Sequence, residues 1–321
     1  MKTIALITRA TSAGDRSGVA SQRGFTILEL LVTMVIMLIV LTAAYQTYTQ
    51  LLKGYVIESS SATSQMEAVV NSNLLRLDIA HAGYGIRRNT SNDRPIAWNA
   101  TGNERLTIRS TINNLDEDTL GWILCHNGSV VQNNNNSPLD DYVFLDKDKM
   151  YETESDSCPS DGIFIGYPYN PSSSAATDGC DDQSCYSITY ELSSTQNLDD
   201  CADGTRNLQR SINVSGSGSS TWLPVINCVA DWQVAFLLDT TDDGELDAER
   251  TDINSLSVND LYRQVEVVNV YALVQEGSYE RDFTFSGSTT MDGINLDDSG
   301  VSDFSHYRWK VRKFSVKPQD M

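Results

Sequence analysis

Basic residues and histidines are scarce in this sequence. Its 321 residues contain 23 lysines and arginines against 43 acidic residues, for a net charge of −20, and its three histidines are scattered at His81, His126 and His306. A nucleic-acid-binding surface needs clustered lysine and arginine to neutralise phosphates, so the composition argues against nucleic-acid binding. An acidic surface instead favours solubility and repels other acidic surfaces.

Catalytic sequence motifs are also lacking. The chain has no Gly-x-Ser-x-Gly nucleophile elbow, no His-Glu-x-x-His zinc motif and no phosphate-binding loop. A Ser-His-Asp arrangement forms in space rather than in sequence and stays open, but nothing in the sequence supports one. We therefore expect a protein that is not an enzyme.

Only one long apolar run occurs, Gly24–Leu41, and its only charge is Glu29. From Phe25 to Ala44 the run covers about 20 residues, or about 30 Å of helix, which is enough to cross a bilayer. A lone carboxylate in such a helix costs about 2.5–3.5 kcal/mol at mid-membrane and needs a partner. Cleavage after Gly24 would create one, the free amine of Phe25.

The leader before this run indicates the orientation of the chain. Residues 1–24 contain four basic residues against one acidic residue, so we expect the N-terminus in the cytoplasm and the chain beyond about Gln50 outside. The remaining 297 residues carry 19 basic and 42 acidic residues, a net charge of −23. The sequence predicts a single-pass protein with a large soluble head.

Disulfide bonds are the expected state of the six cysteines, because all of them lie on the predicted exterior side. No Cys-x-x-Cys pair occurs, which weakens the case for a zinc site. The sequence leaves the pairing open: Cys180 and Cys185 could close a small loop or pair outward to Cys158 and Cys201. The candidates are Cys125, Cys158, Cys180, Cys185, Cys201 and Cys228.

Residues Gly24–Glu29 read Gly-Phe-Thr-Ile-Leu-Glu and resemble the Gly-Phe-Thr-Leu-x-Glu signature of the type IV prepilin family. The resemblance implies that a prepilin peptidase cuts between Gly24 and Phe25, that Phe25 is N-methylated, and that the subunit joins a helical filament. Glu29 would meet the Phe25 amine of a neighbouring subunit and set the assembly register. The alternative is an ordinary signal peptide or signal anchor, for which only a weak cleavage site, Thr42-Ala43-Ala44, follows the run.

The helical pattern continues beyond the apolar run. Apolar residues recur through Met66, Val70, Leu74 and Leu77, and we expect this stripe to pack on the head. The glycines of Ala82–Gly85 are stop signals. The predicted organisation is a cleaved leader (1–24), a transmembrane and filament-core helix (25–53), the amphipathic half of that helix (54–82) and a β-rich head (83–321).

Short strands and polar loops fill the head sequence. Several strands alternate apolar and polar residues, which is typical of antiparallel sheets with one wet face. The predicted fold is α+β and pilin-like, with a long N-terminal helix packed on an antiparallel β-rich head, and Trp98 is expected in an exposed loop. The predicted strands are Arg105–Ser110, Thr119–Cys125, Tyr142–Leu145, Gly162–Tyr167, Tyr186–Leu192, Asn207–Ile212, Val229–Leu238, Arg263–Val274 and Arg308–Val316.

The head resembles the PilW-like minor pilins, which are related to the J-type pseudopilins of type II secretion. Arg76–Tyr84 at the helix end, Leu208-Gln209-Arg210 and Val229–Val234 carry the resemblance, and Val265–Val274 and Tyr307–Val316 fit the closing strands. The resemblance implies a structural subunit that helps to initiate pilus assembly, with the pilus tip as one position for it. Its partners would be other minor and major pilins and the inner-membrane assembly platform.

Two other functions stay open. The first is a J-type pseudopilin of a secretion machine. The second is a pilus-tip adhesin or uptake receptor that uses the loops Gln132–Ser137 and Asn170–Cys185, for which the acidic charge disfavours DNA as a ligand. In the pilus interpretation the protein begins in the bacterial inner membrane, with a cytoplasmic N-terminus and a periplasmic head, and then reaches the surface pilus.

The acidic stretch Asp239–Asp247 is the most site-like part of the head sequence. Calcium-binding loops need several oxygen ligands around a sharp glycine turn, but Arg250 occupies the position where such a loop has a bidentate glutamate. Calcium is therefore the one cofactor candidate, and a solvated acidic turn is the alternative. The candidate ligands are Asp239, Thr241, Asp243, Glu245 and Asp247.

Overall fold

The computed structural model describes residues 26–86, 94–115, 118–134, 141–146, 152–169, 185–214, 221–319 and 321. The chain forms two compact units, the first reaching to Tyr55 and the second beginning at Val56. In its described part the first unit is helical, whereas the second contains the end of that helix and the β-strands.

One long helix opens the described chain. Helix α1 spans Ile27–Ala80, and Thr26 caps its first turn, because the Thr26 Oγ1 accepts a hydrogen bond from the Glu29 N–H at 3.2 Å. The Thr-x-x-Glu spacing is that of a capping box. After Ala80, Gly83 and Gly85 have φ angles of 84° and 68°, a left-handed conformation that suits glycine. These glycines are the stop signals seen in the sequence.

Most of the remaining elements are strands. A short helix, α2, spans Val258–Gln264, and a 3-10 turn covers Phe304–His306. In chain order the strands are β1 Ile96–Asn99, β2 Arg105–Ser110, β3 Ile112–Asn113, β4 Asp118–Thr119, β5 Ile123–His126, β6 Ser129–Asn133, β7 Asp141–Asp146, β8 Glu152–Ser155, β9 Ile163–Tyr169, β10 Tyr186–Leu192, β11 Arg206–Val214, β12 Trp222–Leu238, β13 Ala248–Arg250, β14 Val265–Gln275, β15 Thr290–Met291, β16 Ile294–Asn295 and β17 Trp309–Val316.

Two antiparallel sheets organise the head. The main sheet has the order β1-β2-β10-β11-β12-β14-β17, with β13 paired to β12. The small sheet has the order β6-β5-β9-β7-β8. A long N-terminal helix followed by an antiparallel β-rich head confirms the predicted fold class.

The main core lies where the end of α1 packs on one face of the main sheet. Leu75 and Ile79 are fully buried there with apolar side chains from β1, β2, β10, β11, β12 and β14. Tyr271 and Leu273 of β14 belong to a second core that also contains Trp309. Because neighbouring residues of a strand point to opposite faces, β14 is buried on both sides.

The predicted apolar stripe on α1 is wrong at its last position. Leu77 is 47% exposed, whereas Leu75 and Ile79 are the residues that face the sheet. The side chains of Met66 and Val70 lie outside the described part of the chain. The sequence pattern missed the buried face because that face also contains a charged residue, Asp78.

The prediction that Trp98 is exposed in a loop is also wrong. Trp98 lies in β1, is 1% exposed, and packs edge-to-face on Trp232 with ring centroids 4.9 Å apart. Such aromatic pairs add to the stability of a core. The sequence around Trp98 gave little strand signal because β1 has only four residues.

Local turn and capping signals explain where the observed strands and loops differ from the predicted ones. The strand expected from Arg263 begins at Val265, because Ser257 and Asp260 form a capping box that starts α2. The expected loop Gln132–Ser137 begins inside β6, and its residues 135–137 lie outside the described part of the chain. Asn127 and Gly128, with φ angles of 48° and 77°, form the tight turn that makes β5 and β6 a hairpin.

Candidate functional site

The first part of α1 is suited to an apolar environment. Ile27–Leu52 is long and apolar enough to cross a membrane, by length and composition. The hydroxyls of Thr33 and Thr42 donate to the carbonyls of Leu30 and Leu38 in the same helix, at 2.9 and 2.7 Å. Since these polar groups are satisfied within the helix, they do not oppose its burial in lipid or among other helices.

Glu29 lies in the first turn of α1 and is exposed. The helix dipole favours a negative charge at this end. Gly24 and Phe25, the predicted cleavage and methylation residues, lie outside the described part of the chain. The predicted pairing of Glu29 with an amine therefore stays a prediction.

A buried ion pair ties the end of α1 to the main sheet. The Nε of Arg210, on β11, donates to the Asp78 Oδ2 at 2.7 Å, and the two side chains are 1% and 0% exposed. Buried charges are tolerated only when they are paired and hydrogen-bonded. This pair therefore fixes α1 to one place on β11.

Further polar side chains complete the shell around Asp78. The Tyr190 hydroxyl, on β10, donates to the Asp78 Oδ2 at 2.6 Å, and the Asn114 Nδ2 donates to the Oδ1 at 2.8 Å. Burial, and then the negative charge of Asp78, raises the pKa of Tyr190, so this phenol stays protonated and remains a donor. Burial alone would lower the pKa of Arg210, but its hydrogen bond and ion pair with Asp78 raise it.

The ion pair joins Arg76–Tyr84 and Leu208–Arg210, two of the segments that carry the resemblance to the PilW-like minor pilins. Their contact was not predicted. One signal could have found it: Arg210 occupies an inward position of β11, two residues after the buried Leu208. A charged residue at an inward strand position needs a buried partner of opposite charge.

The acidic stretch forms a turn between β12 and β13 that its own carboxylates close. Asp239 accepts the N–H groups of Asp242, Asp243 and Gly244 at 2.6, 3.3 and 2.7 Å. The Gly244 hydrogen bond is the largest of the effects that lower the pKa of Asp239. An Asp that accepts backbone N–H groups in this way is a typical turn residue.

Asp247 closes the other side of the turn. Its Oδ2 accepts the N–H and hydroxyl groups of Thr240 and Thr241 at 2.8–3.1 Å, and the Thr240 bonds lower the pKa of Asp247 most. Asp243 accepts the N–H of Glu245, and both residues are exposed. Asp239 and Asp247 are therefore both engaged in hydrogen bonds within the turn, and calcium binding by this turn stays a prediction. Among the described residues, no group of three or more His, Cys, Asp or Glu could hold a metal ion.

Disulfide bonds are present in the head, as predicted. Cys125 of β5 pairs with Cys158, which follows β8, and Cys201 pairs with Cys228 of β12, with Cα–Cα distances of 5.6 and 5.2 Å. These pairings exclude the outward bonds to Cys158 and Cys201 that the sequence had left open. Cys185 is also disulfide-bonded, and Cys180 lies outside the described residues.

The comparisons with known proteins bear on the N-terminal segment. Residues 19–45 match the family model of the prokaryotic N-terminal methylation motif. The chain is a type IV pilin-like protein. A solved type IV-like pilin from Thermus thermophilus is similar to it with a TM-score of 0.35 and 10% identity, over 80% of this chain and 97% of that one. No curated protein matches the chain significantly.

The motif indicates what the apolar helix of this pilin-like protein does. Proteins of this family are structural subunits, and the prepilin motif implies processing by a prepilin peptidase and assembly with other pilins. The apolar segment Ile27–Leu52 and the motif together fit a membrane-anchored pilin. The recognition of the type IV prepilin family from Gly24–Glu29 is thereby confirmed.

Proposed function

We propose that this chain is a minor type IV pilin that helps to initiate pilus assembly. Prepilin peptidase would remove residues 1–24, and the mature subunit would wait in the inner membrane with its head in the periplasm. The observation that carries the proposal is the methylation motif at residues 19–45, which leads directly into a membrane-length apolar helix.

Assembly would use the exposed apolar side chains of the first helical unit. Leu31, Val35 and Leu38 are more than half exposed in the isolated chain. In the membrane these side chains already contact lipid, so van der Waals packing against neighbouring helices, rather than transfer out of water, would favour their association. Glu29 would then become buried, and only a neighbour whose Phe25 amine lies opposite could neutralise it. The pair would therefore select one axial position of the subunit.

The assignment to minor pilins is supported by the head segments that resemble the PilW-like proteins. Two of these segments, at the end of α1 and on β11, meet at the buried Asp78–Arg210 pair.

Mass spectrometry of the protein's N-terminus tests the proposal. We would purify the protein from its own membranes and, separately, from sheared filaments. The proposal requires a mature chain that begins at methylated Phe25 and is present in filaments at a low ratio to the major pilin. An uncleaved chain, or cleavage after Ala44, would contradict it.

The same measurement separates the alternatives. Processed protein that occurs only in membranes, in a strain with normal pili, would favour a secretion pseudopilin. Processed protein at the pilus together with loss of attachment, but not of pili, in a deletion strain would favour the adhesin. Residues 135–137 and 170–184 of the loops that the adhesin interpretation uses lie outside the described part of the chain.

A further inference from the structure

A polar cavity of about 280 Å³ lies in the head beside β12. Asp231 and Gln233 of β12 line it, on the strand face opposite to Trp232 and Val234, which belong to the main core. One extra residue of β12, Ala230, interrupts the pairing with β14 just before Asp231. Such bulges re-aim side chains and are common beside active sites. This bulge turns an acidic side chain away from the core and towards the cavity.

The cavity has a buried floor and an open rim. Asp231 and Leu192 are each 8% exposed and form the floor, whereas Asn103 and Asn295 are exposed and form the rim. The volume is close to the lower end of the range for small-molecule sites, about 300 Å³. The cavity therefore has room for one small molecule, or for one terminal unit of a larger one, that enters from solvent.

Hydrogen bonds hold the lining side chains in place but do not use all of their polar groups. The Gln233 Nε2 donates to the Glu104 Oε1 at 2.7 Å, and the Asn295 Oδ1 accepts the Thr290 hydroxyl at 3.0 Å. The Gln233 Oε1 and the Asn295 Nδ2 form no hydrogen bond with another described residue. An acceptor and a donor in fixed positions are therefore available to a ligand.

A guanidinium also lines the cavity. Arg206, at the start of β11, is partly buried, and no hydrogen bond or ion pair joins its guanidinium to another described residue. The same cavity is lined by the carboxyl groups of Glu104, Asp231 and Asp297, and the Asp231 Oδ2 accepts the Asp297 N–H at 2.8 Å. The site thus offers strong donors and strong acceptors to the same ligand.

This mixture of groups favours a neutral ligand that is rich in hydroxyl groups. An anion would meet three carboxyl groups, whereas a simple cation would leave the donors of Arg206 and Asn295 without acceptors. In the part of the chain that the structure describes, no three or more His, Cys, Asp or Glu side chains are placed to hold a metal ion. A sugar hydroxyl both donates and accepts, so several of them on one ring can satisfy both kinds of group.

We propose that this cavity binds one sugar residue of a neutral glycan. Arg206 and Asn295 donate to the sugar hydroxyls, whereas the oxygens of Asp231 and Gln233 accept from them. Leu192 contacts the apolar C–H face of the ring. Because a single sugar residue is small and polar, its dissociation constant should be roughly millimolar. This inference is independent of the proposed pilin function.

Saturation-transfer NMR of the full chain tests the site, in a detergent that has no sugar headgroup. The probes are the methyl glycosides of glucose, galactose, mannose and N-acetylglucosamine, each at about 5 mM, and at least one should bind with a roughly millimolar dissociation constant. Arg206→Met keeps the length of the side chain but removes its donors, so binding of that glycoside should weaken at least about tenfold. Glu249→Gln, at an exposed carboxylate of β13, is the control and should bind as the parent protein does.

Three outcomes would overturn the sugar site. The first is no saturation transfer to any of the four glycosides, and the second is equal binding by the parent protein and Arg206→Met. The third is binding of the diamine putrescine with displacement of the glycoside, which would mean that the carboxyl groups select a cation. If Arg206→Met does not fold, Asn295→Ala at the exposed rim takes its place and should weaken binding by roughly fivefold. Unchanged binding by that variant would also contradict the proposal.

Discussion

The Asp78 Oδ2 lies 2.7 Å from the Arg210 Nε and 2.6 Å from the Tyr190 hydroxyl, so one carboxylate oxygen joins the end of α1 to two strands of the main sheet. The three side chains are almost completely buried. Helix docking and sheet pairing are therefore linked, because neither charge is satisfied unless α1 and β11 are both in place.

Removal of the Asp78 charge should strongly destabilise the head. In Asp78→Asn the Arg210 guanidinium stays buried without a counter-charge, and we expect a loss of about 3–5 kcal/mol in the free energy of unfolding. Urea unfolding of the full chain in detergent would measure it, with fluorescence of the buried Trp98–Trp232 pair as the reporter.

A control for this prediction exists in the same sheet. Arg105 and Glu191 form an ion pair in which the arginine is half exposed. Glu191→Gln should cost about 1 kcal/mol or less, because water screens exposed pairs. Tyr190→Phe, which removes one donor to Asp78, should cost about 1–2 kcal/mol. A loss in Asp78→Asn as small as that in Glu191→Gln would contradict the role of the buried pair.

The sequence was informative wherever a short-range signal decided the structure. The apolar run and Gly24–Glu29 predicted the membrane-length helix and the prepilin motif, and alternating residues predicted β10 as Tyr186–Leu192. The glycines after Ala82 predicted where α1 ends. Each of these features depends on residues that lie close together in the chain.

Long-range features could not be predicted in this way. Asp78 and Arg210 are 132 residues apart, and the inward position of Arg210 indicates only that it needs a buried acidic partner, not which residue that partner is. The buried position of Trp98 depends on Trp232, which belongs to a distant strand.

The disulfides should contribute a large share of the head's stability. Cys201–Cys228 and Cys125–Cys158 close loops with sequence separations of 27 and 33 residues. By the loop-entropy estimate each bond stabilises the fold by about 3–4 kcal/mol. The double variant Cys201→Ser with Cys228→Ser should lower the urea midpoint by the corresponding amount, and Cys125→Ser with Cys158→Ser should have a similar effect. Equal midpoints with and without reductant in the parent protein would contradict this.

The acidic turn should depend on Asp239 whether or not calcium is present. Asp239→Asn weakens the hydrogen bonds to three N–H groups, so we expect a lower Tm in calcium and in a chelator alike. Asp243→Asn, at an exposed residue, is the control and should have little effect. A rise in the Tm of the parent protein with calcium that Asp239→Asn abolishes would instead support the calcium interpretation.

The same turn predicts a pH dependence. Because the folded pKa values of Asp239 and Asp247 are lowered from 3.8, their contribution to stability is present above that pH and is lost as the pH falls through the folded values. The difference in Tm between the parent protein and Asp239→Asn should therefore shrink as the pH falls from 5 towards 3. A difference that grows over this range would contradict the hydrogen-bonded turn.

Glu29 provides the sharpest test of filament assembly. Glu29→Gln removes the charge but preserves the shape, so cleavage after Gly24 should continue while the amine of a neighbouring Phe25 stays unpaired in an apolar helix bundle. An unpaired charge there costs about 2.5 kcal/mol or more, which corresponds to a decrease in incorporation of at least about 70-fold. Quantitative mass spectrometry would measure the ratio of the subunit in filaments to the subunit in membranes.

Thr33→Ala is the matched control for Glu29→Gln. Among the hydrogen bonds described for Thr33, its hydroxyl donates only to the Leu30 carbonyl of its own helix. Since Thr33→Ala should assemble normally, equal incorporation of both variants would mean that Glu29 does not set the register.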